Sequence, residues 1–463
     1  MKRIVFCGFR GTGKTGVGTI VAERTGLPFL DTDAIIEQQT GRSVPDIFHE
    51  DGEERFREEE RKVIAGLPES GAVVSTGGGV VTDPVNMMHL RKDSVIIVLH
   101  AGIDTIEARL IQKPRPPLTN LPLREEIAAM LVRRQQHYQA AADFCIDTSE
   151  TTPEAAAAAV MDLLARGSIP AKNRAPCTAF FKSGRIPPKC MDRLLAVLSD
   201  NPPDPLTRLA GVAGYPCAHS RGPFLFNALF ARYGLDYHYT WFEDPELDEI
   251  LRVARHLDVK GLSVTIPFKQ EIIPLIDEVD EHAAQQIGAV NTVVFSCGTA
   301  RGYNTDWIGV RKPLAGLKGS KAVLLGAGGA AAGAAFALTD LDMDTTILNR
   351  TPAKAKAMAE RFGCSWGGLE DFMTLKPDVV VNTTSLGMNP GDRMPVDAAL
   401  LRKEMTVFDL VYTPPVTPLI AAARKAGCRT ITGTEMFIGQ AKEQFYLFFG
   451  IDVPEEKIRE LLP

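Results

Sequence analysis

Two glycine-rich loops of different design constrain this chain more than any other feature. Gly8-Phe9-Arg10-Gly11-Thr12-Gly13-Lys14-Thr15 fits G-x-x-x-x-G-K-[ST], and Gly326-Ala327-Gly328-Gly329-Ala330-Ala331 fits G-x-G-x-x-A. Each design needs a strand before it and a helix after it, because the free N–H groups of a helix start are what cradle the anion. The first suits a nucleoside triphosphate held through its β- and γ-phosphates, the second a dinucleotide held through its pyrophosphate. A chain with both folds as several α/β parts. The pairing points to a phosphoryl transfer and a hydride transfer at separate sites.

The length of 463 residues exceeds what one hydrophobic core organises, so two or three domains are expected. A net charge of -6 gives no electrostatic case for nucleic acid or an anionic membrane as partner. The eight Cys show no C-x-x-C and no Cys/His cluster. They read as unpaired thiols of a reducing cytoplasm rather than a disulfide framework or a zinc site. The uncharged stretch 322–338 approaches bilayer length, but Gly326, Gly328, Gly329 and Gly333 interrupt it and Ala dominates the rest. No membrane span is expected there. At the start, Gly8 and Arg10 end the apolar run too early for a signal segment, which leaves a strand feeding a loop.

Short β-rich runs at 3–7, 29–30, 72–75 and 94–99 alternate with amphipathic stretches, the pattern of a parallel sheet wrapped by helices. Thr152-Pro153-Glu154 starts a closing helix that Gly167 stops. From 169 to 207 prolines interrupt every pattern except a short helix near 191–198, and the segment reads as a linker. A strand follows at 209–214. A fresh βαβ series then places strands at 323–325, 345–348, 379–382 and 406–410, with a helix over 330–338. The expected α/β organisation is a P-loop domain over 1–168 with a parallel sheet like that of nucleoside-monophosphate kinases, followed by the linker. A substrate domain over 208–312 plus 436–463 and a Rossmann dinucleotide domain over 313–435 complete it.

In the first loop the backbone of Gly11, Thr12 and Gly13 cradles phosphate, Lys14 neutralises β/γ charge and Thr15 ligates Mg2+. Asp31 and Asp33 close the strand at 29–30, where carboxylates meet the metal and a substrate hydroxyl. The bare backbone of Gly77-Gly78-Gly79 lets a small ligand approach closely. Arg57, Arg115 and Arg134 are available for anions. With Asp31-Thr32-Asp33, Glu53-Glu54-Arg55-Phe56-Arg57, Ser75-Thr76-Gly77-Gly78-Gly79, Lys113-Pro114-Arg115-Pro116-Pro117-Leu118 and Arg134 before Tyr138, residues 2–166 resemble shikimate kinase. The resemblance implies that Asp33 holds ring hydroxyls and serves as base. It further implies that Arg57 and Arg134 clamp a carboxylate, that Gly78 and Gly79 touch substrate, and that Arg115 closes over the phosphates of ATP. Gln135-Gln136-His137 departs from the family, which often has a proline in that gap.

After the second loop, Asn349-Arg350-Thr351 and Lys354 stand where an NAD-preferring fold places an acid. Two cations and two neutral hydrogen-bonding side chains suit a 2′-phosphate, so NADP(H) is expected. Asp340, Asp342 and Asp344 precede that strand and read as the helix-to-strand turn. Seven further motifs follow in order. They are Gly214-Tyr215-Pro216-Cys217-Ala218-His219-Ser220, Gly261 to Lys269, Gly288 to Thr292, Tyr303 to Asp306, Asn382 to Met388, Asp409 to Tyr412 and Glu435 to Gln440. From Leu209 to the C-terminus they resemble shikimate dehydrogenase. The resemblance implies Lys269 and Asp306 as catalytic pair, with Ser220, Thr265, Asn291 and Gln440 binding a polyol carboxylate. Gly326, Gly328, Gly329, Ala330, Tyr412 and Met436 join the NADP set. Gly222, Ser263 and Trp307 depart from the usual residues, and Gly222 loses a hydroxyl for the carboxylate.

The two resemblances together imply a bifunctional enzyme that makes shikimate with NADPH and phosphorylates it with Mg·ATP in the cytoplasm. Its partners are small molecules, with neither nucleic acid nor membrane, and the oligomeric state is left open. The alternatives are a half that binds without turnover, as a sensor or scaffold, or a dehydrogenase half that prefers quinate or NAD.

Overall fold

In the computed structural model of the protein, which describes residues 2–113, 117–167, 208–218, 220–389 and 391–462, strand β1 (Arg3–Cys7) is buried along its whole length. Ile4 and Phe6 pack with Val17, Val21 and Ala157, while Val5 and Cys7 pack with Met87, Ile127 and Tyr138. Successive side chains of a strand point to opposite faces, so helices must cover both sides of this one. β1 is the centre of a sheet ordered β2-β3-β1-β4-β5, with β2 (Phe29–Asp31), β3 (Val73–Ser75), β4 (Ser94–His100) and β5 (Phe144–Asp147). All its pairings are parallel. The order matters for function, because β3 neighbours both β1 and β2. The loops after these three strands, which carry Gly8 to Gly13, Asp31 to Asp33 and Gly77 to Gly79, therefore open at one edge.

Two units emerge from the packing: Met1–Leu262 with Val294–Ala300 and Phe445–Val453, and Ser263–Val293 with Arg301–Gln444 and Pro454–Pro463. The first unit also holds β6 (Arg208–Gly214), which pairs in parallel with β7 (Tyr237–Glu243). The helix Gly222–Tyr233 packs Phe226 and Phe230 against Phe445, and Phe226 also against Phe448 and Phe230 against Phe449. Strands β8 (Gly261–Val264), β9 (Glu278–Val279), β10 (Thr292–Ser296) and β11 (Thr299–Tyr303) follow, and the sheet order is β7-β6-β8-β10-β11-β9.

In the second unit six strands are ordered β14-β13-β12-β15-β16-β17 and every pairing is parallel. They are β12 (Lys321–Leu325), β13 (Asp344–Leu348), β14 (Ser365–Gly367), β15 (Val379–Asn382), β16 (Thr406–Asp409) and β17 (Arg429–Ile431). Counted from β12 this is 3-2-1-4-5-6, the dinucleotide-binding order, with its switch point beside β12. The stretch 322–338 is the strand β12, a loop and the buried alanine-rich part of the helix Gly329–Asp340. Among the described residues no helix is long and apolar enough to cross a membrane. Asp340 ends that helix, Asp342 takes a positive φ of 51° in the turn, and Asp344 opens β13. The linker expected over 169–207, with its short helix, lies outside the described residues.

Among the described residues the expectation of unpaired thiols fails at one place: Cys145 of β5 and Cys297, in the turn between β10 and β11, are joined in a disulfide. No local pattern marks the pair, because the two residues are 152 positions apart and only the tertiary fold brings their Cα atoms within 5.0 Å. Cys7, Cys217, Cys364 and Cys428 are free of disulfides.

Near that disulfide a polar knot is sealed inside the first unit. Asp143 accepts from the backbone N–H of Ile96 at 2.7 Å, from Arg91 at 3.3 Å and from the Tyr237 hydroxyl. Burial alone would raise the Asp143 carboxyl, but Arg91, Arg208 and these hydrogen bonds outweigh it and hold the group below its ordinary value. A depressed carboxyl stabilises the fold fully above its unfolded-state pKa and stops doing so as pH falls through the native value. Thermal denaturation should therefore show stability lost below about pH 4. Asp143→Asn, which leaves Arg91 buried without its counter-charge, should cost about 3–5 kcal/mol at neutral pH.

Candidate functional site

The first glycine loop depends on backbone that only glycine takes easily. Gly11 and Gly13 have φ of 82° and 92°, and a Cβ on Gly8 would lie 2.2 Å from the carbonyl oxygen of Leu99. The helix Lys14–Thr25 starts directly after it. Its first N–H groups have no partner inside the helix and are aimed at the loop. The Lys14 ammonium is buried and donates to the carbonyls of Gly8 (2.8 Å) and Phe9 (3.0 Å). The Thr15 hydroxyl donates to Asp31 Oδ2 at 3.0 Å, and Asp31 Oδ1 accepts from the N–H of Asp33 and Ala34 as cap of the helix Thr32–Thr40. Two hard oxygen ligands, one of them anionic, thus stand together beside the phosphate loop, a donor set that fits Mg2+.

The acceptor side is built on Gly77-Gly78-Gly79. A Cβ on Gly77 would stand 2.9 Å from Asp33 Oδ1, and one on Gly79 would stand 2.4 Å from Arg57 Nη2. The Gly78 carbonyl accepts from Arg134 Nη1 at 3.1 Å and from the Tyr138 hydroxyl at 2.6 Å. Asp33, Arg57 and Arg134, on three separate helices, therefore converge on one glycine run. Burial pushes the Tyr138 hydroxyl up to about 12, so it stays a donor. Arg115 lies outside the described residues.

Sequence reasoning missed Glu60. Its carboxylate is 1% exposed, and Oε2 accepts from Arg57 Nη1 at 2.9 Å while Glu53 holds Arg57 Nη2 at 3.0 Å. Burial raises the Glu60 carboxyl despite the neighbouring guanidinium. The signal was present: Glu60 stands three residues after Arg57 on one helix, the spacing at which side chains meet. Because the Arg57 tip fills the space above Gly79, Gly79→Ala should displace that guanidinium. Steady-state assays should show the KM for the kinase acceptor rising about tenfold, for one charge-assisted hydrogen bond lost, with the KM for ATP unchanged.

In the second unit Lys269 Nζ lies 2.6 Å from Asp306 Oδ2. Asp306 is 4% exposed, and its other oxygen accepts from Asn291 Nδ2 at 2.8 Å. The Asn291 amide is fully committed: Nδ2 also donates to the Thr305 hydroxyl (3.0 Å), and Oδ1 accepts from the Thr305 N–H (2.7 Å) and the Thr292 hydroxyl (2.8 Å). It orients Asp306, which in turn holds the ammonium. Ser263 donates to Gln444 at 2.7 Å, and Gln444 donates to Thr292 at 2.9 Å, so the departure at 263 is absorbed by a side chain that sequence reasoning did not single out. Gln444 follows Gln440 by one helical turn on the helix Gly433–Phe449. Thr265 and Gln440 are half-buried. In the first unit Ser220 accepts from the N–H of Gly222 at 3.2 Å, and a Cβ on Gly222 would meet the Tyr239 ring at 3.3 Å.

The second glycine loop leads to the same place as Lys269 and Asp306. Gly326 has φ of 111°, and a Cβ there would lie 2.6 Å from the Thr383 hydroxyl. Gly328 precedes the helix Gly329–Asp340, which also contains Ala330. A Cβ on Gly333 of this helix would stand 3.5 Å from that of Asp306, so this helix packs against the stem of Asp306. Backbone contact between Gly309 and Gly439, where an added Cβ would meet Cα at 2.9 Å, lets the helix that carries Met436 approach the helix Asp306–Leu314. Tyr412 stacks on Phe437 with centroids 5.3 Å apart. Asn349 donates to the Thr351 carbonyl at 3.0 Å, and Thr351 occupies the N-cap position of the helix Pro352–Phe362. Arg350 and Lys354 are exposed and have no ion pair among the described residues, which fits a 2′-phosphate. Arg350→Ala with Lys354→Ala should raise the KM for NADP about tenfold or more and leave the KM for NAD nearly unchanged.

The geometry defines a pair of nucleotide-dependent catalytic α/β parts, one arranged for phosphoryl transfer and one for hydride transfer. Comparison with known proteins agrees. The shikimate kinase family model matches residues 10–165. The shikimate dehydrogenase substrate binding domain matches 212–293, the shikimate/quinate 5-dehydrogenase family 310–432, and the shikimate 5'-dehydrogenase C-terminal domain 433–462. Shikimate dehydrogenase (NADP(+)) of Pyrococcus abyssi is 39% identical over 259 residues, 55% of this chain and 97% of the relative. The crystal structure of shikimate 5-dehydrogenase from Thermus thermophilus with NADP(H) and shikimate matches with a TM-score of 0.51 and 33% identity, over 55% of this chain and all (100%) of that one. Quinate dehydrogenase from Corynebacterium glutamicum with NAD matches with a TM-score of 0.52 and 32% identity, over 55% and 98%. The chain belongs to the shikimate dehydrogenase family and carries a shikimate kinase domain ahead of it.

Proposed function

We propose that this protein is a bifunctional enzyme of the shikimate pathway, active in the cytoplasm. Its dehydrogenase part interconverts 3-dehydroshikimate and shikimate, and its kinase part phosphorylates the 3-hydroxyl of shikimate from Mg·ATP. The Lys269–Asp306 pair at 2.6 Å, backed by Asn291, is the observation that carries the dehydrogenase half. When bound, NADPH supplies the hydride. Lys269 gives a proton to the developing alkoxide, and Asp306 keeps the ammonium in place. Thr265 and Gln440 provide neutral hydrogen bonds for the ring hydroxyls and carboxylate.

In the kinase half Lys14 exchanges loop carbonyls for phosphate oxygens, Asp33 takes the proton of the attacking hydroxyl, and Arg57 with Arg134 holds the acceptor carboxylate. Thr15 and Asp31 would hold Mg2+, which would supply positive charge against the phosphates. The domain bounds proposed from the sequence go with this reading.

Purified full-length protein should oxidise shikimate with NADP and phosphorylate it with ATP; absence of both reactions sinks the proposal. Lys14→Ala should lower the kinase kcat by about 100-fold or more and spare the dehydrogenase. Lys269→Ala should do the converse, by about 100-fold or more. Gly222, with no hydroxyl, and the likeness to quinate dehydrogenase favour one second reading, in which the dehydrogenase takes quinate. Steady-state rates with shikimate and quinate, each with NADP and NAD, decide between them.

A further inference from the structure

The last turn of an α-helix leaves four carbonyls without partners, and where such an end is buried the donors must come from elsewhere. The helix Leu123–Ala141, which carries Arg134 and Tyr138, ends inside the first unit. Its terminal carbonyls are covered by two cations. Arg91 Nη2 donates to Ala140 and to Ala141, the latter at 2.9 Å. Lys260 Nζ donates to Gln139 and Ala142, both at 2.6 Å. Arg91 belongs to the kinase part of the chain, but Lys260 is the residue before β8, in the segment that matches the dehydrogenase substrate domain.

Lys260 is fully buried, with 0% of its surface exposed, and among the described residues it reaches no carboxylate. Burial drives its ammonium well below the ordinary value; Arg91 and Arg208 push it the same way, and Asp143 only partly opposes them. Even as a neutral amine it has two N–H groups, enough for both carbonyls. A buried lysine whose only work is to close a helix of another domain is a costly choice unless the placement of that helix matters. Arg134 and Tyr138 are four residues apart, hence on one face, and both donate to the Gly78 carbonyl. Gln139 is the next residue along. Around the same end, Arg208 donates to the Asp143 carbonyl and Tyr446 meets His137 Nδ1 at 3.1 Å.

We propose that Lys260 is a positioning residue for the kinase: by holding the last turn of the helix Leu123–Ala141 it keeps Arg134 and Tyr138 in place at Gly78. The dehydrogenase part is then a structural component of the kinase acceptor site, in addition to its own chemistry. This rests on the kinase reading given above.

The test uses the full chain with Lys260→Met, which keeps the length of the stem and removes the donors. The expected result is a kinase KM for shikimate at least fivefold higher, with the KM for ATP, the kinase kcat and the dehydrogenase parameters within twofold of the parent. Hydrogen exchange of the amides in 134–142 should quicken as well. An unchanged shikimate KM with intact dehydrogenase activity overturns the proposal, as does a fall in kinase kcat alone. If both activities collapse together, Tyr237→Phe, which removes one of the two donors to Asp143 Oδ1 at the same helix end, decides the matter: a raised shikimate KM supports the proposal and an unchanged one rejects it. A parent protein that does not phosphorylate shikimate would instead refute the kinase reading, so the two failures are distinct.

Discussion

Secondary structure always leaves backbone groups over at its ends, and this protein is organised around what it does with them. At the starts of the helices Lys14–Thr25 and Gly329–Asp340 the surplus is N–H, and glycine keeps side chains away so that a phosphate can reach it. At the end of the helix Leu123–Ala141 the surplus is C=O, and buried cations cover it. The same rule that a polar backbone group must not be buried alone thus yields two ligand cradles and one internal brace.

The charged groups near these ends are arranged to suit. Lys14 rests on two loop carbonyls, neutral acceptors that it can exchange for the stronger, anionic oxygens of a phosphate. Lys269 is the opposite case: Asp306 fixes it, and Asn291 fixes Asp306 through an amide that has both its donors and its acceptor engaged. On the mechanism proposed above, one lysine changes partners and the other stays where the alkoxide would form.

Local patterns made much of this readable. The glycine motifs and the strands around them follow from alternation and turn chemistry within short windows, whereas the 3-2-1-4-5-6 order is seen only in the fold. Asp33, Arg57 and Arg134 were nameable because motifs contain them, although only the β3 position beside β1 and β2 explains how they converge on Gly77 to Gly79. What escaped was set by distance along the chain. Glu60 supports Arg57 from one helical turn away, outside the quoted motifs, and Gln444 meets Ser263 across 181 positions. Lys260 and Asp143 look like ordinary surface charges in sequence, because segments far along the chain are what bury them. The Cys145–Cys297 pair is of the same kind.

That disulfide changes what breakage of the chain would mean. It bridges a span of 152 positions that contains the whole of 169–207, so a protease that severs the polypeptide anywhere within that span yields two pieces still covalently tied. The phosphoryl-transfer and hydride-transfer parts would then separate only after a thiol had first opened the bridge.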